Sequence, residues 1–262
     1  MNTLKIARYQ LRDVMRSRWV LVYGLFFLLM TDALFRFGGS GERVLLSLMN
    51  VVLIAIPLVS VVLGTMYLYN SREFTELILS QPVRRRSLFF GLFIGLGLPS
   101  STAFLLGTGL PFWAHGGAAD AGWGPLLLLL GTGVGLTLVF TSLAFLVALA
   151  TEDRIKGLGY SLGLWVFFTV VFNGLVLLAI YMFSDYPMER TVLALSFLNP
   201  VDLGRILLLL NFDISALMGF TGAVFKGFFG SGTGQAVTVG ALLLWLAVPF
   251  SLGLRSFHRK NF

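Results

Sequence analysis

No cysteine occurs anywhere in the 262 residues, which excludes disulfides and thiolate metal sites at the outset. Charge is scarce too. Only 12% of residues are charged against 57% hydrophobic, and the mean hydropathy of +0.88 rules out a soluble globule. The two histidines, His115 and His258, fall on opposite sides of the membrane in the topology derived below, so a metallopeptidase centre built from a histidine pair and a carboxylate is excluded. Carboxylates are nearly absent from the apolar runs. Only Asp32 lies within one, near its end, whereas a proton- or sodium-driven carrier needs acidic relays near the bilayer midplane. The four lysines, Lys5, Lys156, Lys226 and Lys260, are never followed by Ser or Thr, so the phosphate-binding loop that ends Gly-Lys-Ser/Thr is missing. No catalytic, cofactor-binding or metal-ligating set emerges. Met30, Met49, Met66, Met182, Met188 and Met218 offer soft sulfur that suits copper, but they share no ligand spacing and read as packing residues.

What the chain has is long hydrophobic runs. The sequence predicts an all-α membrane protein, a single transmembrane domain over 1–262, with spans at about 19–37, 44–69, 88–113, 124–150, 157–183 and 236–254. Ahead of the first span, residues 2–18 place Lys5, Arg8, Arg12 and Arg16 on one stripe and Leu4, Ala7, Leu11 and Val14 on another, the pattern of a basic helix lying in the membrane interface. No Ala-x-Ala cleavage pattern follows the first apolar run, so that span is expected to remain. Asp32 and Arg36 stand four apart, as a local ion pair would. Gly91 and Gly95, and again Gly131 and Gly135, are spaced for close helix contact.

Net charge is +7 with a pI of about 10.1, but the basic residues sit in short clusters beside apolar runs, as orientation signals rather than as a nucleic-acid surface. With six spans, fourteen of the 19 Lys and Arg fall on one side and five, Arg36, Arg43, Arg190, Arg205 and Lys226, on the other. This bias predicts both termini in the cytoplasm of a multi-pass inner-membrane protein.

Residues 70–88 form the most polar insert between two spans. Phe74, Leu77, Ile78 and Gln81 follow helical spacing on one face of a short helix over 71–81, while Arg72, Glu73, Glu76 and Ser80 lie elsewhere around it. Asn70 suits the N-cap with Glu73 reaching back in a capping box, Pro82 ends the helix, and Arg84, Arg85 and Arg86 pin the segment to the cytoplasmic face. Read from these residues alone, the segment is either a solvated connection or a docking helix whose apolar knobs enter a groove on a soluble partner. A second candidate contact on that side is Glu152, Asp153 and Arg154. The outer segment, 184–234, contains Asn199, Pro200, Asp202 and Arg205, a strong helix start followed by an apolar run, expected at the outer face either against a partner or lying in lipid. Residues 220–234 carry no assignable pattern.

Glu76 to Val83 with Arg84 to Arg86 resembles the coupling helix of type 2 ABC exporter permeases, in which it lies between the second and third spans. The family usually reads Glu-x-Gly-Thr-Leu-Glu before the leucines, whereas this chain has Ser71-Arg72-Glu73-Phe74-Thr75-Glu76 and lacks the Gly-Thr pair. The interfacial helix, six spans and outer segment are similar to that family along the whole chain, and the Asn199-Pro200-x-Asp202-x-x-Arg205-Ile206 motif is similar to the permeases that serve maturation of nitrous oxide reductase. The resemblance implies a permease coupling ATP hydrolysis to export or signalling, a homodimer, a separate cytoplasmic ATPase that holds ATP and Mg, and a periplasmic accessory protein. Docking would use Arg72, Glu73, Phe74, Glu76, Leu77, Ile78, Gln81 and Pro82. A non-transporting scaffold or signalling subunit of the same fold, or an exporter of another substrate, is the alternative.

Overall fold

The computed structural model describes residues 18–80, 82–183, 189–211 and 232–260. The interfacial helix expected over 2–18, Gln81, and residues 212–231 lie outside the described residues, Arg18 apart. The elements are α1 (Arg18–Gly38), α2 (Gly41–Asn70), α3 (Arg72–Leu79), α4 (Arg85–Ala114), α5 (Gly117–Ala121), α6 (Trp123–Ala150), α7 (Arg154–Val166), a π-helical turn (Phe167–Val171), α8 (Phe172–Met182), α9 (Glu189–Ser196), α10 (Pro200–Asn211) and α11 (Gly232–Arg259). Among the described residues, six helical segments are long and apolar enough to cross a membrane: α1, α2, α4, α6, the unbroken run from α7 through α8, and α11. Helices are the expected solution, because every backbone amide and carbonyl in lipid must find its partner within the segment.

At the centre stands α6, packed against α2, α4, α7, α10 and α11, while α1 lies along α4. The contact of α1 with α4 is close because Gly107 sits against the backbone of Gly24 and Leu28, leaving no room for a side chain. Phe27, Phe104 and Phe112 fill the central core together with Leu45, Leu48, Leu53, Leu136 and Phe140. A second cluster at the basic end joins Leu88, Phe89, Leu92, Phe145, Leu149 and Phe257. The fifth span is different. Only 6% of its most apolar stretch is buried within the chain, against 67% for α4 and for α6.

The glycine pattern divides in a way spacing did not foretell. Gly131 and Gly135 of α6 point into open space, whereas Gly133, between them, lies directly under the Phe104 ring and Ile56. Gly133→Ala is therefore expected to lower the protein's thermal stability in detergent by several degrees, since a methyl there overpacks the core, and Gly131→Ala to leave it within a degree or so. Equal melting temperatures for the two variants would contradict this packing.

On the end away from α3, Asp32 accepts from Arg36 Nε at 2.7 Å, the expected pair, and also from His115 Nε2 at 2.8 Å, which ties the end of α1 to the end of α4. The loop expected at 115–123 contains the short α5, entered and left through left-handed glycines, Gly116 (φ 67°) and Gly122 (φ 82°).

Candidate functional site

Two groups of sequence-selected residues occupy opposite parts of the fold. The first is α3 and its surroundings at the basic end. A single turn residue, Ser71, separates α2 from α3. The Ser71 amide bonds Tyr67 O at 2.9 Å, the Ser71 hydroxyl donates to the same carbonyl at 2.7 Å, and the Thr75 amide bonds Ser71 O. Asn70 closes α2, and Ser71, which makes no side-chain cap, stands at the start of α3, so the expected capping box of Asn70 and Glu73 does not form. The physical reason is near-continuity: the Ser71 amide and hydroxyl both bond Tyr67 O in the last turn of α2, and the chain enters α3 directly after that one residue.

Exposure sorts the face. Glu73, Glu76, Leu77 and Ser80, at i, i+3, i+4 and i+7, are exposed, and Leu77 retains 68% of its surface. Phe74, Ile78 and Leu79 are half-buried against the Phe89 and Phe145 cluster, and Thr75 is buried. The apolar knobs expected to act together are thus divided. Leu77 points outward while Phe74 and Ile78 seat α3 on its own domain, because one face of the helix must cover the apolar cluster where α2, α4 and α6 end. Pro82 is exposed beyond it.

Beside α3 runs the connection from α6 to α7, with Glu152, Asp153 and Arg154 all exposed and Ile155 retaining 83% of its surface. Asp153 caps α7, accepting from the amides of Ile155 (2.7 Å) and Lys156 (3.2 Å). Those two amides hold its carboxyl below the usual carboxylate range, the Lys156 bond first, so the cap contributes stability that is present above that range and is lost as pH falls through the lowered pKa. Sequence reasoning selected Asp153 as a contact and missed its cap, although Asp two residues before Ile155 is an ordinary start signal. It also missed Ile155, whose single apolar side chain has no periodicity to announce it.

The second group is Asn199, Pro200, Asp202 and Arg205. Asn199 is fully buried, its Oδ1 accepting from the Val201 amide at 3.0 Å and its Nδ2 donating to Asp202 Oδ2 at 2.9 Å and to Phe168 O at 2.8 Å. Of the two polar atoms of this side chain, the nitrogen with its two N–H donors is the one that can face two acceptors. Arg205 completes the row, bonding Asp202 Oδ1 at 3.1 Å with 38% of its side chain exposed. Phe168 lies in the π-helical turn, about 21 Å from either end of the fifth span at about 1.5 Å per residue. Trp245, mid-way along α11, donates to Phe197 O at 3.0 Å and meets Phe168 edge-on. The turn between α9 and α10 therefore lies at the middle level of the spans, and Gly204 fits against Thr132, Leu136 and Leu53.

This corrects the placement at the outer face. Asn199, Pro200 and Asp202 are buried within the chain, Leu207 and Leu208 are buried against protein rather than lipid, and of the four motif residues only Arg205 has an exposed part. A 12-residue helix apolar on nearly every side is a core helix, and the polar groups of its first turn are satisfied by each other and by the carbonyl of the π-helical turn. Asp213 and residues 220–231 lie outside the described residues.

The arrangement is that of a six-span α-helical membrane domain with an exposed, acidic-rimmed helix on its basic end and a helical hairpin inserted from the other. The family model described as "ABC-2 family transporter protein" matches residues 4–262, and the chain belongs to that family. It is similar to the probable ABC transporter permease protein NosY of Pseudomonas aeruginosa, 29% identical over 265 residues covering 95% of this chain and 92% of the relative. It is also similar to the probable NosY permease of Stutzerimonas stutzeri, 26% identical over 300 residues covering 97% of each. A permease of this family is the membrane subunit of an ABC transporter and works with a partner ATPase subunit.

Proposed function

We propose that this permease converts ATP hydrolysis by a separate cytoplasmic ATPase into movement of its spans, and that it serves copper-site maturation of nitrous oxide reductase. The observation that carries the reading is the outward face of α3, where Glu73, Glu76 and Leu77 stand clear of a domain that Phe74 and Ile78 hold from behind. An exposed apolar anchor with an ion-capable rim is the surface a groove on a soluble subunit recognises. Ile155 and Arg154 extend that surface across the α6–α7 connection. The 14 to 5 bias of basic residues supports an inner-membrane protein with both termini and α3 in the cytoplasm. The working unit is a homodimer, and the bare fifth span, with Gly159 and Gly163 in open space on it, supports that pairing. The Asn199 to Arg205 motif and the likeness to the NosY permeases support the maturation role.

The test is purification of the chain with its ATPase in lipid nanodiscs, together with the copper content of nitrous oxide reductase in a strain lacking the permease. Two copies of each subunit, ATP hydrolysis, and copper restored by the intact gene are expected. A permease that purifies without any ATPase would end the transport reading, and a fully copper-loaded reductase in the deletion strain would end the maturation role alone.

A further inference from the structure

The side of α3 that faces its own domain carries a second device. Helix α6 ends at Ala150, and its last carbonyls have no partners within the helix. Leu149 O in that last turn, and the carbonyls of Thr151 and Glu152 just beyond it, are met by side chains from elsewhere in the chain. Arg72, the first residue of α3, donates through Nη2 to Thr151 O at 3.2 Å and through Nη1 to Glu152 O at 3.1 Å, so its planar fork bridges two consecutive carbonyls. The guanidinium also lies over the Tyr69 ring, 4.6 Å from its centroid. Tyr69 in turn donates to Thr151 O at 3.0 Å and occupies a notch at the start of α7 where only Gly157 fits. Lys260 Nζ holds Leu149 O at 2.9 Å, and Arg85, at the start of α4, reaches the carbonyls of His258 (3.0 Å) and Lys260 (2.8 Å). Burial, then the positive charge of Arg72, lowers the Lys260 pKa, and Glu152 opposes that shift.

Both exits of the docking segment are thus bonded to the free ends of other spans. Through Arg72 it grips the α6–α7 junction, and through Arg85 the end of α11. The apolar face of this eight-residue helix packs on a cluster drawn from α2, α4, α6 and α11, and the Arg72 fork adds a polar link to the junction of the fourth and fifth spans.

We infer that Arg72 is a positioning residue that transmits displacement of α3 to the α6–α7 junction, and through it to the sparsely packed fifth span, without taking part in ATPase binding. The inference rests on the transport reading above. Its geometry separates the two roles, because Leu77 and Glu73 face outward while the Arg72 fork faces the chain's own carbonyls.

The test exploits the absence of cysteine. Phe37→Cys and Tyr181→Cys, at exposed positions on the far ends of the first and fifth spans, carry spin labels in the complex with its ATPase, and their separation is measured with and without ATP and vanadate. Arg72→Met keeps the stem and removes the fork. It is expected to retain ATPase co-purification and hydrolysis within about twofold while losing about three-quarters or more of the nucleotide-driven distance change. Arg72→Lys, which reaches one carbonyl at a time, is expected to recover part of it. Tyr69→Phe, which keeps the ring beneath the guanidinium, gives a milder loss in the same readout. A full distance change in Arg72→Met, or a loss of ATPase binding that accounts for its defect, would overturn the transmission role. Absence of any nucleotide response in the unsubstituted labelled complex would instead fail the transport reading, and the transmission role with it.

Discussion

Leu77→Asp is expected to release the ATPase subunit almost completely, with affinity falling on the order of 100-fold or more, while the permease stays inserted and monodisperse. An apolar anchor seated in a groove carries a large share of a short helix's binding, commonly about 2–4 kcal/mol, and a carboxylate placed there is desolvated without a partner. In the free permease the same substitution costs little, because Leu77 keeps 68% of its surface in solvent. Phe74→Ala has the opposite signature. Its ring packs inward on the Phe89 and Phe145 cluster, so the permease itself loses stability, by about 2 kcal/mol for a half-buried phenylalanine, and ATPase binding weakens only as far as α3 loosens. Co-purification and thermal melting of the two variants, measured side by side, separate these effects. Wild-type ATPase recovery with Leu77→Asp would remove α3 as the docking element.

Asn199→Leu is the largest expected loss of stability from a single side chain. Asn199 is fully buried, and its amide joins Phe168 O, Asp202 and the Val201 amide in one place. Leucine fills the volume and satisfies none of them. An orphaned carbonyl, amide and carboxylate oxygen at the middle level of the spans cost about 3–5 kcal/mol, and a fall in melting temperature on the order of 10 °C follows. The double variant Asn199→Leu with Asp202→Leu is expected to regain part of that loss, because removing both partners of a buried bond costs less than removing one. An unchanged melting temperature for Asn199→Leu would show that this row does not hold the hairpin to the fifth span.

The outline of the fold was legible because hydrophobic length is a local property. A run of about 20 apolar residues can satisfy its backbone in lipid only as a helix, so six spans follow from composition along the chain whatever packs against them. The start of α10 was legible for a related reason, since a helix begins wherever Asn, Pro and Asp meet free amides in the right order. The ion pair of Asp32 and Arg36 lay within one turn and could be read as such.

What failed to be legible depended on partners distant in the chain. Phe74, Leu77 and Ile78 share a helical face in a linear reading, and only the apolar cluster of α2, α4 and α6 behind α3 divides them into seat and anchor. Gly131, Gly133 and Gly135 differ in nothing local, yet the Phe104 ring selects Gly133 as the one that must stay bare. The capping box at Asn70 was a sound local inference that continuity with α2 made unnecessary.

By itself, then, the sequence determined that the chain crosses the membrane on six helices, which segments are polar, and where its helices can start, because each of these is settled within a turn or a span. The tertiary structure alone decided that the Asn199 row is buried at mid-span, that Arg72 turns inward to the α6–α7 carbonyls, and that Leu77 faces out. The first two outcomes rest on backbone carbonyls that accept from side chains distant in the chain, 31 residues away for Asn199 and Phe168 and about 80 for Arg72 and its two carbonyls, and the third on which elements lie behind α3.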